Sequence, residues 1–215
     1  MVLFREMKHE IAHATSPTLS NEAKSIEQAR SEMLDLGCYE IYLTTFDSHL
    51  RLAAFLDIVP RLNDREYWTL LRDVWTTAEV TFPKKQDWLN LLCAQRPERE
   101  SFMNCNEHET LQSLPSVVQI YRGCGHVDGI YGLSWTLNYE RAKFFAAYSC
   151  GPRRHVLCPG LQGQWPVLAT ATCSKSDVIA YLDHRDEEEI VVDPRKITVV
   201  GAKEWRLPDH KLRSA

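Results

Sequence analysis

The chain has 215 residues, of which 44% are hydrophobic and 25% charged, with a net charge of −4. That is enough apolar content for one large domain or two small ones, and the negative balance gives no global basic field to recommend a nucleic-acid partner. No apolar run is long enough to span a bilayer. The mixed charges of Met1 to Glu10 do not form a secretory signal, and seven scattered cysteines suit a reduced, cytoplasmic setting (the producing cell's own or a host's) better than a disulfide framework.

The front of the chain reads as helices. Ser20 or Asn21 caps a polar helix that stops near Gly37, a C′ glycine. Tyr42, Phe46, Leu50 and Ala53 or Ala54 keep helical spacing over Tyr39 to Val59, until Pro60 ends it. Asn63 or Asp64 opens a third helix, whose Tyr67, Leu71, Val74, Trp75 and Ala78 make one apolar stripe. Pro83 suits the first turn of a fourth, ahead of Trp88, Leu89, Leu91 and Leu92, and a weaker helix runs from Arg99 to Leu114. The tryptophans and leucines lie at helical spacing and read as core. We place a helical region over 1–115.

After Pro115 strand and turn signals take over. Val117 to Tyr121 is a β-rich run leading into Arg122-Gly123; Gly125 and Gly129 mark a loop. Gly132-Leu133-Ser134-Trp135-Thr136 follows, with the Ser134 and Thr136 hydroxyls on one face and the indole opposite. Asn138 caps a helix through Ala147, with Ala142, Phe145 and Ala146 inward. Ser149 to Pro166 is a long loop, Val167 to Cys173 a strand, Ser176 to Tyr181 a short extended or turn segment, and Ile190 to Val192 and Ile197 to Val200 further strands. Residues 204–215 form a polar tail.

The acidic run before Ile190 to Val192 is the most suggestive stretch. If Glu187 to Glu189 is extended, Glu187 and Glu189 share a face, with Cα atoms about 6.5–7 Å apart, and Glu188 points the other way. Two carboxylates on one face can steady a developing cation. Arg122, ending a strand before a glycine, has the planar donor fork that clamps a diphosphate, and Gly123 leaves room for a ligand to approach the backbone. Taken singly, each has a plain structural reading: a solvated charge run, a surface ion pair, a strand end leading to a helix cap. Cys150, His155 and Cys158, with Cys173, lack the close cysteine pairs of most zinc sites, so no metal is expected. Cys124 beside His126 reads as an inert thiol.

Together, Tyr121-Arg122-Gly123, Gly132-Leu133-Ser134-Trp135-Thr136 and Glu187-Glu188-Glu189-Ile190 resemble the motif set of mono-ADP-ribosyltransferases of the arginine–serine–glutamate class, as found in small bacterial and phage proteins. The resemblance covers about Val117 to Val200. It implies an α+β architecture in which the helical region precedes an ADP-ribosyltransferase-like split β-sandwich, here 116–203, with NAD⁺ as co-substrate in a cleft. It implies that Arg122 contacts a phosphate or ribose and that Gly123 offers backbone groups to the nicotinamide amide. It also implies that Ser134 orients the catalytic Glu189, and that Ser134 and Thr136 help to bind NAD⁺. Glu187 marks transfer to arginine side chains, and Tyr181, His184 and Arg185 fall in the turn that recognises the target. Eleven residues lie between Arg122 and Ser134, so the helix that many relatives carry there is missing, and Trp135 departs from the usual serine or threonine. The resemblance implies ADP-ribose transfer to a protein acceptor. Guanine bases in nucleic acid and small guanidines remain open as acceptors, and NAD⁺ hydrolysis and a silent NAD-binding module stand as alternatives.

Overall fold

The computed structural model describes residues 17–78, 84–148 and 165–204. Pro83, most of the Ser149–Pro166 loop with Cys150, His155 and Cys158, and the tail beyond Glu204 lie outside them. The chain is α+β, with helices in its N-terminal part and an antiparallel sheet at the C-terminus. Two compact units divide it, Met1–Ile58 and Val59–Ala215. The helices of 64–113 therefore share a unit with the sheet, and no unit boundary falls near 115.

In the first unit, α1 spans Pro17–Asp35. Gly37 closes it at φ 69°: its amide bonds to Leu34 O, and the Cys38 amide reaches back to Met33 O at 2.8 Å. Glycine alone takes that left-handed turn without steric cost, as the sequence reading expects. The single helix expected over Tyr39–Val59 is instead two, α2 (Tyr39–Thr44) and α3 (Arg51–Ile58). The break has a local cause. The hydroxyls of Thr44 and Thr45 bond back to Ile41 O and Tyr42 O at 2.7 Å each, and a new turn starts with the Leu50 amide on Asp47 O, so short polar side chains compete with the helical ladder.

The second unit begins with α4 (Asp64–Thr77), capped by a reciprocal pair in which Asn63 accepts from the Glu66 amide while Glu66 accepts from the Asn63 amide. Tyr67, Trp68, Leu70, Leu71, Val74 and Trp75 are buried, close to the expected stripe. α5 (Lys85–Leu92) buries Trp88, Leu89, Leu91 and Leu92. The weak helix expected over Arg99–Leu114 is divided into a 3₁₀ turn, Arg99–Phe102, and α6, Cys105–Ser113. Asn104 restarts the helix with a second reciprocal cap, on Glu107.

Six strands follow: β1 Val117–Cys124, β2 Ser134–Thr136, β3 Val167–Ser174, β4 Val178–Leu182, β5 Glu189–Val192 and β6 Ile197–Glu204. They make one sheet in the order β4-β5-β2-β1-β3-β6, antiparallel at every junction. β1 pairs with β3 along all eight residues, but meets β2 in register only at Tyr121↔Thr136. The sheet is thus two three-stranded halves, β4-β5-β2 and β1-β3-β6, joined at one residue pair. Val118, Ile120 and Cys124 of β1 pack with Trp135, Ala169, Ala171, Tyr181, Ile190 and Val192 in one cluster. α7 (Tyr139–Tyr148), started by Asn138 accepting from the Glu140 and Arg141 amides, buries Ala142 and Ala146; Phe145 is only half-buried. Among the described residues no helix is long and apolar enough to cross a membrane.

Candidate active site

Where β1 parts from β2, backbone polar groups lose a ladder partner, and buried ones must find another. Arg122 supplies it. Its Nη1 donates to Ser134 O and its Nε to Gly129 O at 2.7 Å. Nη2 has no acceptor among the described residues and lies against Gly132, where a Cβ would meet it at 2.3 Å. Two donors of the fork thus hold the chain itself rather than standing free as the expected diphosphate clamp. Burial lowers the guanidinium's proton affinity, which Cys124 and Glu189 partly restore.

Glu189 opens β5 beside β2. Thr136 faces Glu189 and Ser134 faces Val191 across the ladder, so Ser134, Thr136 and Glu189 share one face of the sheet. Burial raises the Glu189 carboxyl above the ordinary glutamate range. Hydrogen bonding by Ser134 and by Trp75 opposes that rise, Glu187 adds to it, and Arg122 opposes it. The Trp75 indole donates to Oε2 at 3.1 Å. Arg122, Ser134 and Glu189, taken from β1, β2 and β5, therefore act on one another.

The acidic run is not the extended segment that alternation predicts. His184–Asp186 is a 3₁₀ turn and Glu187 has helical backbone at φ −89° and ψ −14°. Arg185, Asp186 and Glu188 take left-handed conformations at φ 61°, 54° and 45°. Strand geometry starts only at Glu189, so Glu187 reaches the carboxylate of Glu189 from a turn rather than from two residues down a strand. Three of the four non-glycine left-handed residues among the described residues lie in this turn, and such strain concentrates at functional sites. It is held in place from both sides. Arg141 of α7 donates to Asp186 O at 3.0 Å and Arg185 O at 2.8 Å, while Arg185 donates to Thr76 O at 2.7 Å. Arg185 also lies 3.9 Å from the Glu187 carboxylate.

Three further expectations change. Thr136 is buried, its hydroxyl donating to Glu187 O at 2.7 Å and accepting from the Asn138 amide at 2.9 Å; it fixes the acidic turn and has no free donor for a co-substrate. Gly123 is required by packing rather than by ligand approach, since a Cβ there would sit 1.9 Å from Ala142 O of α7. Tyr181 is not in the turn but in β4, buried in the core, and burial pushes its phenol to about 12. His184 and Arg185 are in the turn and exposed. Trp135 points away from the carboxylates, its indole bonded to Gly132 O.

Sequence reasoning passed over Trp75, counted as core from its helical spacing. The available signal was chemical: a buried indole has an N–H that needs an acceptor. Among the described residues no cluster of three or more histidine, cysteine, aspartate or glutamate side chains is placed to hold a metal. No family model, curated protein or solved structure matches the chain.

Proposed function

We propose that the protein is an NAD⁺-dependent mono-ADP-ribosyltransferase of the arginine–serine–glutamate class, moving ADP-ribose to an arginine side chain of a protein acceptor. The observation that carries this reading is the convergence of Arg122, Ser134 and Glu189 where the sheet divides into halves. The single-pair junction between β1 and β2 also fits the split β-sandwich of that class. In the reaction, the bond between nicotinamide and C1′ of its ribose breaks and its electron pair leaves with nicotinamide. The ribose then carries positive charge, as in glycoside cleavage. Glu189, oriented by Ser134 and lying in a half-buried site, stabilises that charge and accepts a hydrogen bond from the ribose. The free arm of Arg122 binds a phosphate or ribose oxygen.

Glu187 favours transfer over hydrolysis. A second carboxylate beside the first can hold a guanidinium and take its proton as the new C–N bond forms, and Glu187 lies close enough to raise the proton affinity of Glu189. The exposed His184 and Arg185 border that approach. The test supplies labelled NAD⁺ with an arginine-rich protein acceptor. Wild type should label it. Glu189→Ala should lower labelling about a hundredfold or more, and Glu187→Ala should abolish labelling while nicotinamide release continues. Equal labelling by the Glu189 variant would refute the role of that residue. Release without acceptor labelling by wild type would point to hydrolysis.

A further inference from the structure

α4 touches the acidic turn and its strand through three polar connections, all near its C-terminal end. Arg72 pairs with Glu107 by two bonds, 2.5 and 2.8 Å, and Glu107 in turn accepts from the Asp183 amide at 3.0 Å, where the turn begins. Thr76 O accepts from Arg185 at 2.7 Å, a cation at the negative end of the helix. Between them Trp75 donates its indole N–H to Glu189 Oε2 at 3.1 Å. Trp75 cannot swing away from this bond. It is 3% exposed, and its ring meets Trp88 of α5 edge to face, centroids 5.0 Å apart.

From this geometry we propose that Trp75 is a positioning residue for Glu189, so that α4 is part of the catalytic apparatus rather than a cover over it. The inference rests on the transferase reading for its kinetic consequence but not for its physical content. An ionised carboxylate accepts about four hydrogen bonds. Trp75 fills one position from a helix, and Ser134, on the neighbouring strand and the same face of the sheet, acts on the group as a second donor. That fixes the plane of the carboxylate and leaves acceptor capacity for the ribose. A single hydroxyl donor leaves the group free to rotate about its terminal torsion, which is broad for glutamate; two donors on separate rigid elements do not. The indole N–H also favours the ionised form, acting with Ser134 and Arg122 against burial and against Glu187.

Two measurements test it. The first needs no activity and no risk of misfolding: the ¹⁵N-labelled indole resonance of Trp75 is followed with pH in wild type and in Glu189→Gln. The proposal expects that resonance to titrate with Glu189 in wild type and to lose the titration in the variant. An indole that ignores Glu189 ionisation overturns it, whatever the enzyme's reaction is. The second replaces Trp75 by Phe, which keeps an aromatic ring against Trp88 and removes the donor. The rate constant kcat for nicotinamide release should fall on the order of tenfold or more, with KM for NAD⁺ little changed, and the acidic limb of the pH profile should move to higher pH. A fall in kcat with an unmoved limb would mean that Trp75 acts through packing alone, against the proposal. If wild type releases no nicotinamide, the transferase reading fails while the indole titration still decides the role of Trp75.

Discussion

At the scale of the residue, Glu189 is set against its own ionisation. Burial and Glu187 raise its proton affinity, and Ser134, Trp75 and Arg122 recover only part of the loss. The proposed chemistry uses the ionised form, so the rate should decline as pH falls through a pKa above the ordinary glutamate value of about 4.3. The linkage to stability runs the other way. The folded chain binds this proton more tightly than the unfolded chain does. That contribution is fully present below the ordinary glutamate pKa and is lost as pH rises through the raised folded value. At neutral pH the ionised carboxylate therefore opposes folding, and Glu189→Gln should unfold at a higher temperature than wild type while losing activity, a trade expected at functional sites. A lower unfolding temperature for that variant would show that the Arg122 attraction outweighs burial.

At the scale of the element, one device holds the acidic turn and another strains it, and they answer to different tests. A half-buried Arg72 pairs with Glu107, which is only 2% exposed. Burial alone would raise the Glu107 carboxyl. The bonds from Arg72 and from the Asp183 and Asn104 amides overcome burial and bring it below the ordinary range. Its contribution to stability is present above the unfolded-state value and disappears as pH falls through the lower folded one. Glu107→Gln leaves a half-buried Arg72 without its counter-charge and should cost about 1–3 kcal/mol in urea unfolding at neutral pH; a cost well under about 1 kcal/mol would show the pair to be incidental. The left-handed backbone is the second device. Glu188 sits at φ 45°, where a side chain costs about 1–2 kcal/mol and glycine does not, set against the greater unfolded-state entropy of glycine. Glu188→Gly should therefore raise stability by about 1 kcal/mol in thermal unfolding. A loss of stability would mean that the Glu188 side chain, not only its backbone, helps to hold the turn.

At the scale of the whole molecule, much was legible because it depends on local chemistry. Gly37, Asn63 and Asn138 announced helix ends by side-chain type, and the β-branched runs of β1, β3 and β5 announced strands. The order arginine strand, serine strand, glutamate strand was written in the chain, and the sheet brings β1, β2 and β5 side by side. What was not legible depends on distant partners. The left-handed turn at 185–188 is stabilised by Arg141 and Thr76, from helices far away in sequence, so alternation drawn from the acidic run alone gave the wrong backbone. The Thr136 hydroxyl is committed to Glu187 O only because the turn returns to β2. Trp75 has the spacing of a core residue and the partner of a site residue; periodicity reports the first and is blind to the second. Gly123 pointed to a close approach, but the approaching group is α7.

The central claim is that Arg122, Ser134 and Glu189 form one site that cleaves the nicotinamide–ribose bond of NAD⁺. Its most direct test is the rate at which free nicotinamide appears, followed by proton NMR, when the intact protein or its Glu189→Gln variant is incubated with excess NAD⁺ at neutral pH. Steady release by wild type, slowed about a hundredfold or more in a variant that remains folded, is the predicted result. Release at equal rates by the two proteins, or none from folded wild type, would contradict it.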